Sequence, residues 1–188
     1  TAVLVKALIN DAKNPRSTHD FGHDVIPELI KRHKTYAYTY EDYWQDIGTI
    51  DAYWQANMDF LTTAAPFQLN DPDWPIRTYR PQYPSSFITS GDINNSILGS
   101  GCRILGGKIE NSILSSGIIV EDEAEIEDSI IFEGTVIKKG AKLQRTILDK
   151  QIVIPPKFSV GFDLEKDKSY FKISGGGIRV IPKAWRLE

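Results

Sequence analysis

The chain has 188 residues, 41% hydrophobic and 25% charged, enough apolar side chain to bury a core in one domain or two small ones. Its net charge of −3 gives no general attraction to nucleic acid or anionic membranes, so a phosphate-bearing partner must be held by local groups. Cys102, the single cysteine, excludes an internal disulfide framework and a cysteine-rich zinc site, and fits a reducing compartment. No apolar run approaches the length of a membrane span, and TAVLVKALINDAKN lacks the architecture of a signal peptide. The expectation is a cytoplasmic protein with neither membrane nor nucleic acid as partner.

The chain opens at Thr1 without Met and enters a helical pattern at once, with Val3, Leu4, Ala7 and Leu8 on one face before the polar NDAKNP. This start reads as a piece of something longer. STHDFGHDVIPELIKRHK then gives a polar turn and a short helix through Ile26, Leu29 and Ile30, closed by cations where helix carbonyls are unpaired. TYAYTY alternates like a strand. Gly48-Thr49 supplies a turn and an N-cap, and Ile50, Tyr53, Trp54, Asn57, Met58 and Leu61 follow helical spacing. Residues 1–65 therefore read as α/β. Prolines 66, 72, 75, 81 and 84 make residues 66–90 an extended linker, expected to pack through Phe67, Trp74 and Tyr79.

From Ile93 the sequence repeats itself. INNSIL, IENSIL, IEDSII and LQRTIL, starting at Ile93, Ile109, Ile126 and Leu143, align without gaps at spacings of 16, 17 and 17. Aliphatic residues recur every five or six positions: Ile93, Leu98, Ile104, Ile109, then onward through Ile154. This is the hexapeptide repeat of a parallel β-helix, in which three units make one triangular coil and a period just below eighteen means a shortened corner. Coils bury their faces only by stacking, so residues 91–188 are expected to form a quasi-one-dimensional solenoid.

A β-helix by itself names no reaction. Acyltransferases of this shape generally use a histidine between neighbouring coils, but His19, His23 and His33 all precede the coils. His19 and His23 stand four apart, yet Phe21-Gly22 between them argues against one continuous helical face, so a histidine metal site is not expected. Asp20 precedes Phe21-Gly22 and Asp46 precedes Gly48-Thr49, both in loops leading to helices, where backbone N–H groups collect. Such a carboxylate serves either a phosphate and metal site or only the helix N-terminus. Gly175-Gly176-Gly177, the only run of three glycines, has no strand-loop-helix context and reads as a strand-end turn, not a nucleotide loop.

STHDFGHDVIP at 17–27, DYWQDIGTIDAYWQANMDFL at 42–61, NDPDWPIRTYRPQYPSSF at 70–87, the hexapeptide coils and the closing SGGGIRVIPK resemble, in that order, the second half of bacterial-type glucose-1-phosphate adenylyltransferases. The resemblance covers nearly the whole chain. It implies an α/β fragment of a nucleotidyltransferase domain followed by a left-handed parallel β-helix, in an enzyme that makes ADP-glucose and pyrophosphate from ATP and glucose 1-phosphate with Mg²⁺. By the same resemblance Asp46 is a catalytic, metal-binding carboxylate, Trp44 a wall of the sugar pocket, and Asp20 with Phe21 the pair contacting the glucosyl unit. Lys183, Arg77 and Arg80 are candidates for holding an anionic allosteric effector. The family expectation includes a homotetramer, an N-terminal half carrying the nucleotide loop and a second metal carboxylate, and an isolated 188-residue chain without activity. Another sugar-nucleotide pyrophosphorylase would share this architecture, though NDPDWPIRTY and YWQDIGTIDAYW favour the adenylyl branch; a poorly catalytic regulatory subunit is the other alternative.

Overall fold

The computed structural model describes residues 1–62, 64–69, 71–77, 82–183 and 185. The chain divides into two compact units, residues 1–42 and residues 43–188.

In the first unit, helix α1 (Ala2–Ala12) is followed by a turn in which Asp11 accepts from Ser17 Oγ (2.6 Å) and pairs with His19 Nδ1 (2.9 Å). Those contacts, the Ser17 hydroxyl first and His19 second, hold the Asp11 carboxyl below its ordinary range. A π-helical turn (Phe21–Val25) runs directly into α2 (Ile26–Arg32), with Lys31 and Arg32 in the last turn as the charge pattern requires. The expected TYAYTY strand is a correction: residues 35–40 form no strand, and Tyr36 and Tyr38 are 84% and 91% exposed. Alternation prepares a segment for pairing, but no neighbouring strand in this unit offers its backbone a ladder.

The second unit is built on the expected solenoid, a left-handed parallel β-helix. Its strands stack into two five-stranded sheets and one six-stranded sheet. Ile93, Ile109, Ile126 and Leu143 occupy one register, and Ile104, Val120, Ile137 and Ile154 another. Each of these side chains except Ile93 is fully buried, so the five-or-six spacing is the inward-facing set. The third residue of each superperiod, Asn95, Asn111, Asp128 and Arg145, turns a corner with positive φ between 42° and 49°. The next residue supplies an ordered hydroxyl. Ser96 Oγ accepts from Ser112 N, Ser112 Oγ from Ser129 N, and Ser129 Oγ from Thr146 N, at 3.1, 3.1 and 3.2 Å, while the Ser112 and Ser129 hydroxyls donate two residues back. A column of hydroxyls thus satisfies amides that a strand ladder leaves open at the bend.

The shortened corner is also visible. Between the first and second sheets the turn takes residues 105–107 in one coil and residues 121–124 in the next. The shorter version needs Gly107 at φ 92°, where a Cβ would lie 2.3 Å from the Ala124 carbonyl oxygen. The longer version places Glu123 at φ 59°, a left-handed conformation that an L side chain can adopt.

The C-terminal end departs from the repeat. Helix α4 (Leu164–Tyr170) is inserted after the strand Ser159–Val160; Arg179–Ile181 then joins the third sheet beside Thr146–Leu148, and Lys172–Ile173 forms the antiparallel edge of that sheet. Buried Asp167 of α4 accepts from Arg179 Nε (2.9 Å) and Gly161 N (2.9 Å). Phe158, Phe171 and Trp185 pack together, each phenyl ring centroid 5.4 Å from that of Trp185, closing the last coil as a cap.

Two linker expectations need correction. Phe87–Ile88 already pairs with Arg103–Ile104, so the coils begin inside the stretch assigned to the linker. Phe67 packs against Phe60 (4.9 Å), but Trp74 is 83% exposed; Tyr79 lies outside the described residues. The side chain that lies along the coils is Tyr83, whose ring crosses the corner glycines 101 and 117 and whose hydroxyl meets Glu133 (3.1 Å).

Candidate functional site

Helix α3 (Ile50–Met58) organises the segment DYWQDIGT. Its N-cap is Thr49, whose Oγ1 accepts from Ala52 N at 3.1 Å. Asp46 is therefore not the cap of this helix. Its Oδ1 accepts from Gly48 N (3.2 Å) in a local turn, and among the described residues Oδ2 has no hydrogen-bond partner. At the other end of the segment Tyr43 donates to Asp59 Oδ2 (2.9 Å) just past α3, and its ring packs edge-on to Phe60. Loss of hydration, helped by Asp59, raises the Tyr43 phenol above its ordinary range. The loop 44–48 is thus pinned at both ends of α3, presenting an exposed Asp46 carboxylate and a Trp44 ring that is 73% exposed.

α3 itself is seated on the solenoid. Met58 packs with Ile130, Ile147 and Ile178, and Ile50, Tyr53, Trp54 and Leu61 border that cluster. Trp54 Nε1 donates to the Asp128 carbonyl (2.8 Å), and the Arg145 guanidinium lies 4.8 Å over the Trp54 ring. Asp51 accepts from Ser174 Oγ and from Gly176 N (3.0 Å), while the Gly176 carbonyl accepts from Arg145 Nη2 (3.0 Å). None of Asp51, Arg145 and Ser174 is singled out by the sequence. The visible signal was the glycine run, which is the expected strand-end turn and also admits Asp51, since a Cβ on Gly176 would lie 2.6 Å from Asp51 Oδ1.

Asp20 and Phe21 belong to the first unit. Asp20 Oδ1 accepts from His23 N (2.7 Å), the capping role open to it from spacing, and Phe21 is about half exposed. A groove of about 840 Å³ beside α1 and α2 is lined by Lys6, Asn10, His23 and Arg32 among others, but by neither Asp20 nor Phe21. Arg77 and Lys183 are exposed, and the Lys183 amide donates to Asp149 (3.3 Å). Arg80 lies outside the described residues.

Among the described residues no three His, Cys, Asp or Glu side chains converge on one point. A divalent cation at this segment would find one carboxylate with an open oxygen. That fits Mg²⁺, which takes hard oxygen donors, keeps several waters, and commonly uses one or two carboxylates with substrate phosphates completing the shell. No helix among the described residues is long and apolar enough to cross a membrane.

Comparison with known proteins gives two family matches. Residues 84–181 match the family described as GlmU-like, C-terminal hexapeptide, and residues 1–63 match nucleotidyl transferase. Similar proteins include a glucose-1-phosphate adenylyltransferase of Koribacter versatilis, 34% identical over all of this chain and 48% of that protein. Glucose-1-phosphate adenylyltransferase 2 of Vibrio parahaemolyticus is 43% identical, and that of Vibrio vulnificus strain YJ016 is 44% identical, each over 98% of this chain and 50% of the relative. The chain spans about half the length of the curated relatives it matches.

Proposed function

Because the chain belongs to the GlmU-like, C-terminal hexapeptide family and carries part of a nucleotidyl transferase domain ahead of its coils, we propose that the full-length protein is a glucose-1-phosphate adenylyltransferase. In that reaction an oxygen of glucose 1-phosphate forms a bond to the α-phosphorus of ATP, the bond to the β-phosphate bridge breaks, and pyrophosphate leaves with the electron pair. The observation that carries the reading is the Asp46 carboxylate, held by its own Gly48 turn with one oxygen open, in a loop fixed at both ends of α3. Transfer of this kind depends on positioning and charge neutralisation more than on covalent help from protein groups. Mg²⁺, held in part by Asp46, would neutralise charge on the transferring phosphates. Trp44 offers its exposed face to the sugar ring. Asp20 and Phe21 are retained as glucosyl contacts on the strength of the STHDFG motif alone.

The same proposal includes a cytoplasmic homotetramer that serves glycogen or starch synthesis and responds to an anionic effector. Exposed Lys183 and Arg77 support the effector site, with Arg80 assigned from sequence. The test is Asp46→Asn in the full-length enzyme with Mg²⁺, ATP and glucose 1-phosphate. The fold should be retained and kcat should fall at least about 100-fold, since a neutral amide cannot offset the transition-state charge. Near-normal turnover would return Asp46 to a turn-forming role.

A further inference from the structure

We propose that Asp51 is a positioning residue, latching α3 to the Ser174–Gly177 turn of the solenoid and thereby holding the Trp44–Asp46 loop in place. The proposal rests on the reading of that loop as part of the catalytic site. Asp51 and Trp54 lie one turn apart on α3, and each is bound to a different element of the coils: Asp51 to Ser174 and Gly176, Trp54 to the Asp128 carbonyl. Two attachments one turn apart add directional bonds to the packed face of Ile50, Tyr53, Trp54 and Met58, and so narrow the rotation of the helix about its axis. Arg145 closes the circuit by donating to the Gly176 carbonyl while covering the Trp54 ring. The Thr49 cap and the Gly48–Asp46 turn are continuous with the first turn of α3, so its rotation sets where the Asp46 carboxylate points.

The receiving turn is shaped for this contact. Gly176 has no room for a side chain against Asp51, and Ser174 both donates to Asp51 and accepts from Ile178 N (2.9 Å). The turn joins Lys172–Ile173 to Arg179–Ile181, the antiparallel pair that runs on to Lys183. A displacement of that hairpin therefore has a direct mechanical route to the loop.

The experiment uses the full-length enzyme and the variants Asp51→Ala, Asp51→Glu and Ser174→Ala. Misplacement of a reacting group by about 1 Å costs about 100-fold, and the latch acts one step removed, so Asp51→Ala should lower kcat by about tenfold. KM for glucose 1-phosphate should rise while KM for ATP holds within about twofold, because only the sugar and metal loop moves. Asp51→Glu should recover part of the loss, and Asp51→Ala combined with Ser174→Ala should lose no more than Asp51→Ala alone. Hydrogen exchange at the Gly48 and Ala52 amides, which bond to the Asp46 carboxylate and the Thr49 hydroxyl, should speed up with the coils unaffected. Unchanged exchange there, or fully additive Asp51 and Ser174 effects, overturns the latch. If Asp51→Ala does not fold, exchange at the same two amides in Ser174→Ala decides the matter. An active Asp46→Asn enzyme would instead overturn the catalytic reading, and the exchange result would still decide the latch.

Discussion

Thr49 and Asp46 stand three residues apart, and their side chains make different bonds. Thr49 caps α3, so Thr49→Ala should destabilise the second unit by about 1 kcal/mol in denaturant unfolding. Asp46 serves only its own turn, so Asp46→Ala should change stability by less than about 0.5 kcal/mol. Equal losses would mean that Asp46 is structural. The resemblance of YWQDIGT to the family's motif makes Trp44 and Asp46 candidates, because that pattern is local in the sequence. Asp51 was not legible, since its partner Ser174 lies 123 residues away and nothing in GTIDAYW distinguishes it from the polar face of a helix.

At the scale of the coil, the inward register is directly testable. Ile126 is buried and Asp128 turns a corner, so Ile126→Asp should cost several kcal/mol, roughly 3 or more, whereas Asp128→Asn should be nearly neutral in a melting experiment. Ser129→Ala removes the acceptor for Thr146 N and should cost about 1–3 kcal/mol. Cys102 is buried with its Sγ donating to the Ser115 carbonyl, and burial raises its thiol pKa. Native protein should resist alkylation there and become modified only as the coils open, which mass spectrometry can follow. The coils were legible because each places an aliphatic residue inward at a fixed interval. α4 and its Asp167–Arg179 pair were not, because a cap has no repeat and that pair joins residues on opposite sides of a glycine turn.

For the chain as a whole, the 188 residues offer one candidate metal carboxylate and no glycine-rich sequence of the kind that cradles phosphates. Expressed alone, they should release no pyrophosphate from ATP and glucose 1-phosphate with Mg²⁺, because aligning both substrates is worth roughly 7–11 kcal/mol in well-oriented systems. Amide exchange should be slow across the stacked coils, where backbone ladders run through each sheet. In the first unit it should be fast: α1 has no buried residue, and Val3, Leu8, Ile9 and Ile30 are exposed. Measurable turnover would show that the chain holds a complete site, and slow exchange throughout residues 1–42 would show a first unit stable by itself.

The short corner at Gly107 bears on how such a chain changes over generations. Inserting one residue among 105–107 relaxes the turn to the four-residue form, in which the left-handed position accepts a glutamate, as at Glu123. Lengthening is therefore a single viable step. Deleting one residue from 121–124 demands a φ near that of Gly107, with a carbonyl oxygen where a Cβ would stand, so glycine must already occupy the bend. Shortening takes two steps in a fixed order, and drift in coil length should run more readily toward the longer coil than back.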